Sequence, residues 1–241
     1  TGQELSKADL IPSEVLLLAD GQARLLSRDR GRLCTVEKLA AGSFVGLASL
    51  LRAQACEAAS AAGPLQAWVL PDALVLKLLG SEPSFAGWCG SHLFTAELLA
   101  LVQQLEASHP RQGASALHEL ERVRSAARLI QPRVEVLAQL HPDVVLLAAS
   151  HNLPHHPIGA RLDPQAGVPQ ANPPLPPRLL GVPLDWYAGI AEPAAPEQAG
   201  GAAAAVSAAA AGSALVPASA GTPLASGLDL GQRDQVPFRL Q

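Results

Sequence analysis

The sequence predicts a mainly β fold with C-terminal helices: a jelly-roll-like β-roll, then helices, then a disordered tail rich in alanine and proline. Three observations predict it. Before residue 80 the apolar runs are short and bounded by turn pairs such as Asp20-Gly21 and Pro71-Asp72. Between residues 93 and 130 apolar side chains recur at helical spacing. From Ala191 to Thr222 the chain is alanine and glycine with no stripe of large side chains.

Residues 1–10 read as the tail of a strand and a loop. Val15–Leu18 and Ala23–Leu26 are strands separated by Asp20-Gly21. Leu33–Leu39 alternates imperfectly, and its place after a turn favours a third strand. Leu65–Leu70 and Ala73–Leu79 are apolar enough to close the roll as two further strands. Helical pattern begins near Ser81, with Pro83 suited to a first turn. Leu98, Leu101, Val102 and Leu105 form one stripe on a helix over Leu93–Leu105. Ser115–Ile130 reads as a second helix carrying Leu117, Leu120, Val123, Ala127 and Ile130, with Arg122, Arg124 and Arg128 on a solvated face. Val144–Ala148 is a continuous apolar run, more strand than helix, in a small α/β or mostly β module. Prolines crowd residues 150–190, where Arg178–Val182 and Leu184–Tyr187 dock as an island. The domain reading is therefore a roll with a helix over 1–108, a helix plus a partly irregular module over 114–190, a low-complexity linker over 191–235, and at 236–241 the start of a following domain.

The segment around which this is organised is Ala41–Leu51. Gly42 and Gly46 bracket Phe44, placing backbone freedom beside an apolar anchor. Leu47, Leu50 and Leu51 then allow one or two helical turns, whose free N–H groups suit an anion. Read from spacing alone, the segment is a buried turn and helix.

The same residues resemble the phosphate-binding cassette of the cyclic-nucleotide-binding domains, over roughly residues 2–105. Gly42, Phe44, Gly46, Ala48 and Leu50 fit the cassette. The resemblance implies an acidic residue for the ribose hydroxyl at position 47, where this chain has Leu47. It implies an arginine for the cyclic phosphate near Cys56 or Glu57, followed by small residues, here Ala58 and Ala59. Arg52 is the nearest cation and is expected in solvent. The implied nucleotide, cAMP or cGMP, thus loses both polar partners, and the expected cofactor is none. The family has one more early strand, so the chain reads as starting inside a domain. The absence of methionine points the same way.

Composition narrows the function. Charged residues are 16% of 241 and the net charge is -4, so no general attraction to nucleic acid is expected. Cys34, Cys56 and Cys89 are few, odd in number and far apart, which fits a reducing compartment. No signal peptide or membrane span is read. His151, His155 and His156 read as a polar loop rather than a metal site. Trp68 reads as core or edge packing rather than a stacking platform, and Cys56 as a packed thiol. No nucleophile elbow, Walker sequence or acid–base pair is present. Pro157-Ile158-Gly159 with Leu162, and Arg178–Pro183, resemble the region after the roll in peptidase-containing ABC exporters, notably cyanobacterial ones. Neither the exporter's ATPase nor its Gln-x-x-x-x-Asp-Cys peptidase motif is in this chain. The expectation is a non-catalytic regulatory or docking domain, cytoplasmic or at the inner face of a membrane, partnered by other domains of a transporter or assembly. The alternatives are a fragment of a cyclic-nucleotide-sensing transcription regulator, and a scaffold or shell-associated interaction module.

Overall fold

Short turn-bounded runs become strands because each hides one face against a partner sheet. In the computed structural model, which describes residues 2–111 and 113–191, β1 (Glu4–Ser6), β2 (Glu14–Asp20), β3 (Ala23–Asp29), β4 (Arg32–Leu39) and β5 (Phe44–Val45) precede a short helix, α1 (Leu47–Arg52). β6 (Ala58–Ala61) and β7 (Gln66–Pro71) follow it. One sheet runs β1-β6-β3-β4 and the other β5-β2-β7. Both are antiparallel. Leu18 and Val45 from one sheet pack on Ala23 and Ala59 from the other, which is the core of the roll.

The run Ala73–Leu79, expected as a strand, is instead part of a helix, α2 (Asp72–Ser81). Its leucines, alanine and lysine favour helix, and only Val75 is β-branched. Asp72 accepts from Ala73 N–H through its Oδ1 at 2.6 Å. Val75 is buried beside α1, with Leu76 and Leu79 packed against the same cluster. α3 (Pro83–Ser91) starts on Pro83 as expected, and α4 (Thr95–Ser108) carries the predicted stripe of Leu98, Leu101, Val102 and Leu105. By length and composition Pro83–Ser108 passes as a membrane span. It is two helices with extended backbone at His92, and Glu97 lies within it in a buried ion pair.

The expected helix Ser115–Ile130 is two elements. α5 (Ala116–Val123) begins at Ser115, whose side chain accepts from His118 N–H. After a turn at Ala126 and Ala127, β8 (Arg128–Ile130) pairs with a later strand. Pro132 disfavours helix at Gln131, and the sheet edge supplies the hydrogen bonds that a helix would have. Then come α6 (Val134–Ala138), β9 (Val144–Ala148), β10 (Arg161–Leu162), β11 (Leu179–Pro183) and α7 (Leu184–Ala191). The sheet order is β10-β9-β11-β8. On β9, Val145 and Leu147 face the cluster made with α4, α5 and α7, while Leu146 and Ala148 face a second cluster with Leu137, Leu153 and Leu162. A strand covered on both faces has no polar alternation, which explains the continuous apolar run. Gly181 is needed for space: a Cβ there would lie 3.0 Å from side-chain atoms of Ile130 and Val144. Trp68, expected in packing, is 67% exposed on the edge strand β7. The expected linker, apart from Ala191, and the expected start of a further domain lie outside the described residues.

Leu147 is 0% exposed at the centre of this sheet. Leu147→Ala is expected to lower unfolding stability by about 2–5 kcal/mol in urea titration; a loss under about 1 kcal/mol would contradict the two-faced burial.

Candidate functional site

The turn before α1 needs its two glycines. Gly42 and Gly46 have φ of 87° and 91°, which L side chains rarely adopt. A Cβ on Gly46 would also stand 2.9 Å from Pro12. This turn carries Phe44 across the roll and starts α1 at Leu47, as the sequence spacing predicts.

Beside it lies a cavity of about 410 Å3, bounded by β3, β4, the Gly42–Phe44 turn and the junction of α3 with α4. Of the ten residues read from the sequence as pocket positions, Gly42, Phe44 and Glu57 line it. Leu47 and Ala48 are core residues: Leu47 packs with Val15 and Val75, Ala48 with Leu25 and Ala96. Gly46 shapes the turn behind the lining. Ala58 and Ala59 lie in β6, pairing with Leu26 and Leu25.

Arg52, expected in solvent, is 2% exposed. Its Nε donates to Ala149 O at 3.0 Å, and its own carbonyl accepts from His151 N–H at 2.8 Å. The chain after β9 covers the end of α1, a contact 97 residues away that spacing cannot announce. Arg52 is therefore a structural tie and is absent from the lining.

Glu57 stands near the position where the cassette resemblance implies an arginine, and it reverses the charge. It is 3% exposed. Its Oε2 accepts from Ser49 N–H in α1 at 3.1 Å, and the N–H groups of Gly46 and Ala48 also favour its ionised form. Ser49 Oγ accepts in return from Cys56 N–H at 3.1 Å and Glu57 N–H at 3.3 Å. Ser6 Oγ donates to Glu57 O at 3.1 Å. The first turn of α1 thus spends its donors on an internal carboxylate. Burial still prevails and pushes the Glu57 carboxyl above its ordinary range. Cys56, 3.6 Å from Ser49 Oγ, is pushed up to about 12 by burial and by Glu57, so its thiol is unreactive.

Several lining residues escaped sequence reasoning. Glu37 and Arg124 meet at 3.3 Å, and Arg124 also reaches Thr95 Oγ1 at 3.3 Å. Trp88, His92 and Phe94 form an aromatic wall with Phe44: the ring centres of Trp88 and His92 are 4.6 Å apart, and those of Trp88 and Phe44 5.6 Å. Desolvation, then Arg178, holds His92 below its ordinary range. The wall hangs on a pair also unseen in the sequence, Glu97 with Arg178. Arg178 Nε and Nη2 donate to the two Glu97 oxygens at 2.6 and 2.7 Å, Nη1 donates to Cys89 O at 2.8 Å, and Nη2 to His92 O at 3.1 Å. The only sequence signal was a lone glutamate inside the apolar stripe of α4. Of the three histidines read as a polar loop, His151 and His155 are exposed and His156 is half-buried.

Two expectations follow. Arg178→Met leaves Glu97 buried and unpaired, and should cost about 3–5 kcal/mol in thermal or urea melts, with part recovered by adding Glu97→Leu; equal stability of Arg178→Met and the parent would contradict the pair's role. For Glu57, the folded form keeps its proton at pH values where the unfolded chain has released it. Its contribution is therefore most favourable at or below the ordinary glutamate range and falls as pH rises toward the raised folded value. The stability difference between the parent and Glu57→Gln should shift against the parent as pH rises above about 4.5; a difference independent of pH between 4 and 8, roughly, would show that burial does not dominate.

No protein-family model matches the sequence, and no curated protein matches it. Solved structures do. The catabolite activator protein of Thermus thermophilus is similar at 21% identity over 44% of this chain and 47% of that one, with a TM-score of 0.33. A cyclic nucleotide-binding domain from Methylobacillus flagellatus is similar at 19% identity, covering 44% of this chain and 58% of that one, with a TM-score of 0.30. The N-terminal domain of a transcriptional regulator from Streptomyces coelicolor is similar at 17% identity, over 47% and 78%, with a TM-score of 0.30. This chain covers about half the length of the Thermus protein. These are likenesses of fold.

Proposed function

We propose that this chain is a non-catalytic regulatory or docking domain built on a roll of the cyclic-nucleotide-binding type, and that its pocket no longer takes a cyclic nucleotide. The observation that carries the reading is Glu57, whose carboxylate sits on the α1 donors that the cassette resemblance assigns to phosphate. A cyclic phosphate there would find the α1 donors already taken by the Glu57 carboxyl, and Arg52 is turned away to Ala149. Leu47 offers the ribose nothing, since it is buried in the core. Each lost charged partner in a desolvated site costs about 2–5 kcal/mol. Two such losses move a roughly micromolar ligand to the millimolar range or beyond.

The exporter setting, with its cytoplasmic location and partner domains, rests on the sequence resemblance after the roll. The second reading is a fragment of a cyclic-nucleotide-sensing transcription regulator; one of the similar structures is named as the N-terminal domain of a transcriptional regulator. In this chain the described residues after α5 fold into a sheet rather than a helix-turn-helix. An interaction surface is compatible with either setting.

Calorimetric titration with cAMP and cGMP separates a spent pocket from a working one. No saturable heat is expected up to about 1 mM nucleotide, whereas saturation tighter than about 10 µM would overturn the proposal.

A further inference from the structure

Glu57 is a buried carboxylate on the wall of an open cavity, and among the described residues it has no ion-pair partner. Arg52, close in sequence, gives its Nε to a main-chain carbonyl instead. The donors that Glu57 does have are neutral N–H groups of α1. A carboxylate removed from water and left without a cation is costly, and a positive group reaching it through the cavity would offset that cost. The lining adds a second acid, Glu37. Its partner Arg124 is shared with Glu121, at 3.7 Å, so acid exceeds base around the cavity. The remaining lining is largely apolar, with Phe44, Trp88, Phe94 and Leu98, and it includes His92, which desolvation and then Arg178 hold below its ordinary range. Aromatic and aliphatic walls suit an organic body, and ring faces tolerate a cation better than an anion. No cluster of three metal-ligating side chains occurs among the described residues. At about 410 Å3 the cavity is of the size that small-molecule sites have.

We propose that this cavity binds a small organic cation, a protonated amine on an apolar or aryl body, with Glu57 as its counter-charge. The proposal rests on the reading above, that the pocket has lost the cyclic phosphate; it reverses the charge of the ligand rather than abolishing ligand binding.

The test is calorimetric titration of the full chain with phenethylamine, with phenethyl alcohol as the uncharged match and cAMP as the anionic one. Phenethylamine is expected to bind saturably with a Kd of about 1 mM or tighter, and the alcohol at least about tenfold more weakly. Glu57→Gln should weaken the amine by about tenfold or more. That change also alters the acceptor of Ser49 N–H, so a second variant is needed. Ser43→Phe fills the cavity from the turn and leaves Glu57 in place, and it should abolish amine binding without lowering the melting temperature. Absence of saturable heat up to about 20 mM amine, equal binding of amine and alcohol, or unchanged affinity in both variants overturns the cation site and leaves the loss of nucleotide binding standing. Micromolar binding of cAMP overturns the functional reading and the cation site together.

Discussion

The bidentate pair of Glu97 and Arg178 holds the parts of this molecule in place. Glu97 is 0% exposed in the first turn of α4, among its buried leucines. Without a cation it would be an uncompensated charge in the core. Arg178 immediately precedes β11, and its amide donates to Ser150 Oγ, which in turn donates to Asn152 Oδ1. Its remaining guanidinium hydrogens satisfy the carbonyls of Cys89 and His92 at the end of α3, where helices leave such groups unpaired. One side chain therefore fixes the break between α3 and α4. That break presents His92, Phe94 and Thr95 to the cavity. The aromatic wall depends on an ion pair made with the residue just before β11, at a sequence separation of 81.

What the sequence could disclose was local. Turn pairs and short apolar runs announced the roll, and the glycines about Phe44 announced the segment that crosses it. Helical spacing announced α4, because its stripe faces one core only. The same reasoning misread Ala73–Leu79, where leucine-rich composition decides for helix and neighbouring strands suggested otherwise. It also ran α5 on into β8, since Ala127 and Ile130 keep helical spacing although they sit in a turn and a sheet edge. In β9 both faces are covered, so periodicity carried no message beyond burial. The site was legible in part: Gly42, Phe44 and Glu57 were read, whereas Glu37, His92 and Arg124 reach the cavity through tertiary packing alone.

Glu57 occupies the backbone donors at the start of α1. The donors of the first helical turn require an acceptor, and a carboxylate from the same chain supplies it. Ser49 closes the arrangement by accepting from the backbone of Cys56 and Glu57 while its own N–H reaches the Glu57 carboxylate. Such reciprocity keeps the turn, its glycines and α1 in register without any bound molecule. The geometry of this turn is then held by folding needs, whatever the cavity beside it holds.

Arg52 carries a consequence for where this chain can be cut. Its side chain and its carbonyl both bond to the segment Ala149–His151, so α1 is stitched to the loop that follows β9. A fragment ending after α4 would strip that loop away, strand a guanidinium in the interior, and bare the leucines that α4 now hides against β9 and β11. The roll is therefore not a removable cassette to be grafted or expressed alone. A boundary after α7 keeps the contacts of Trp186 and Ile190, the last buried apolar side chains among the described residues.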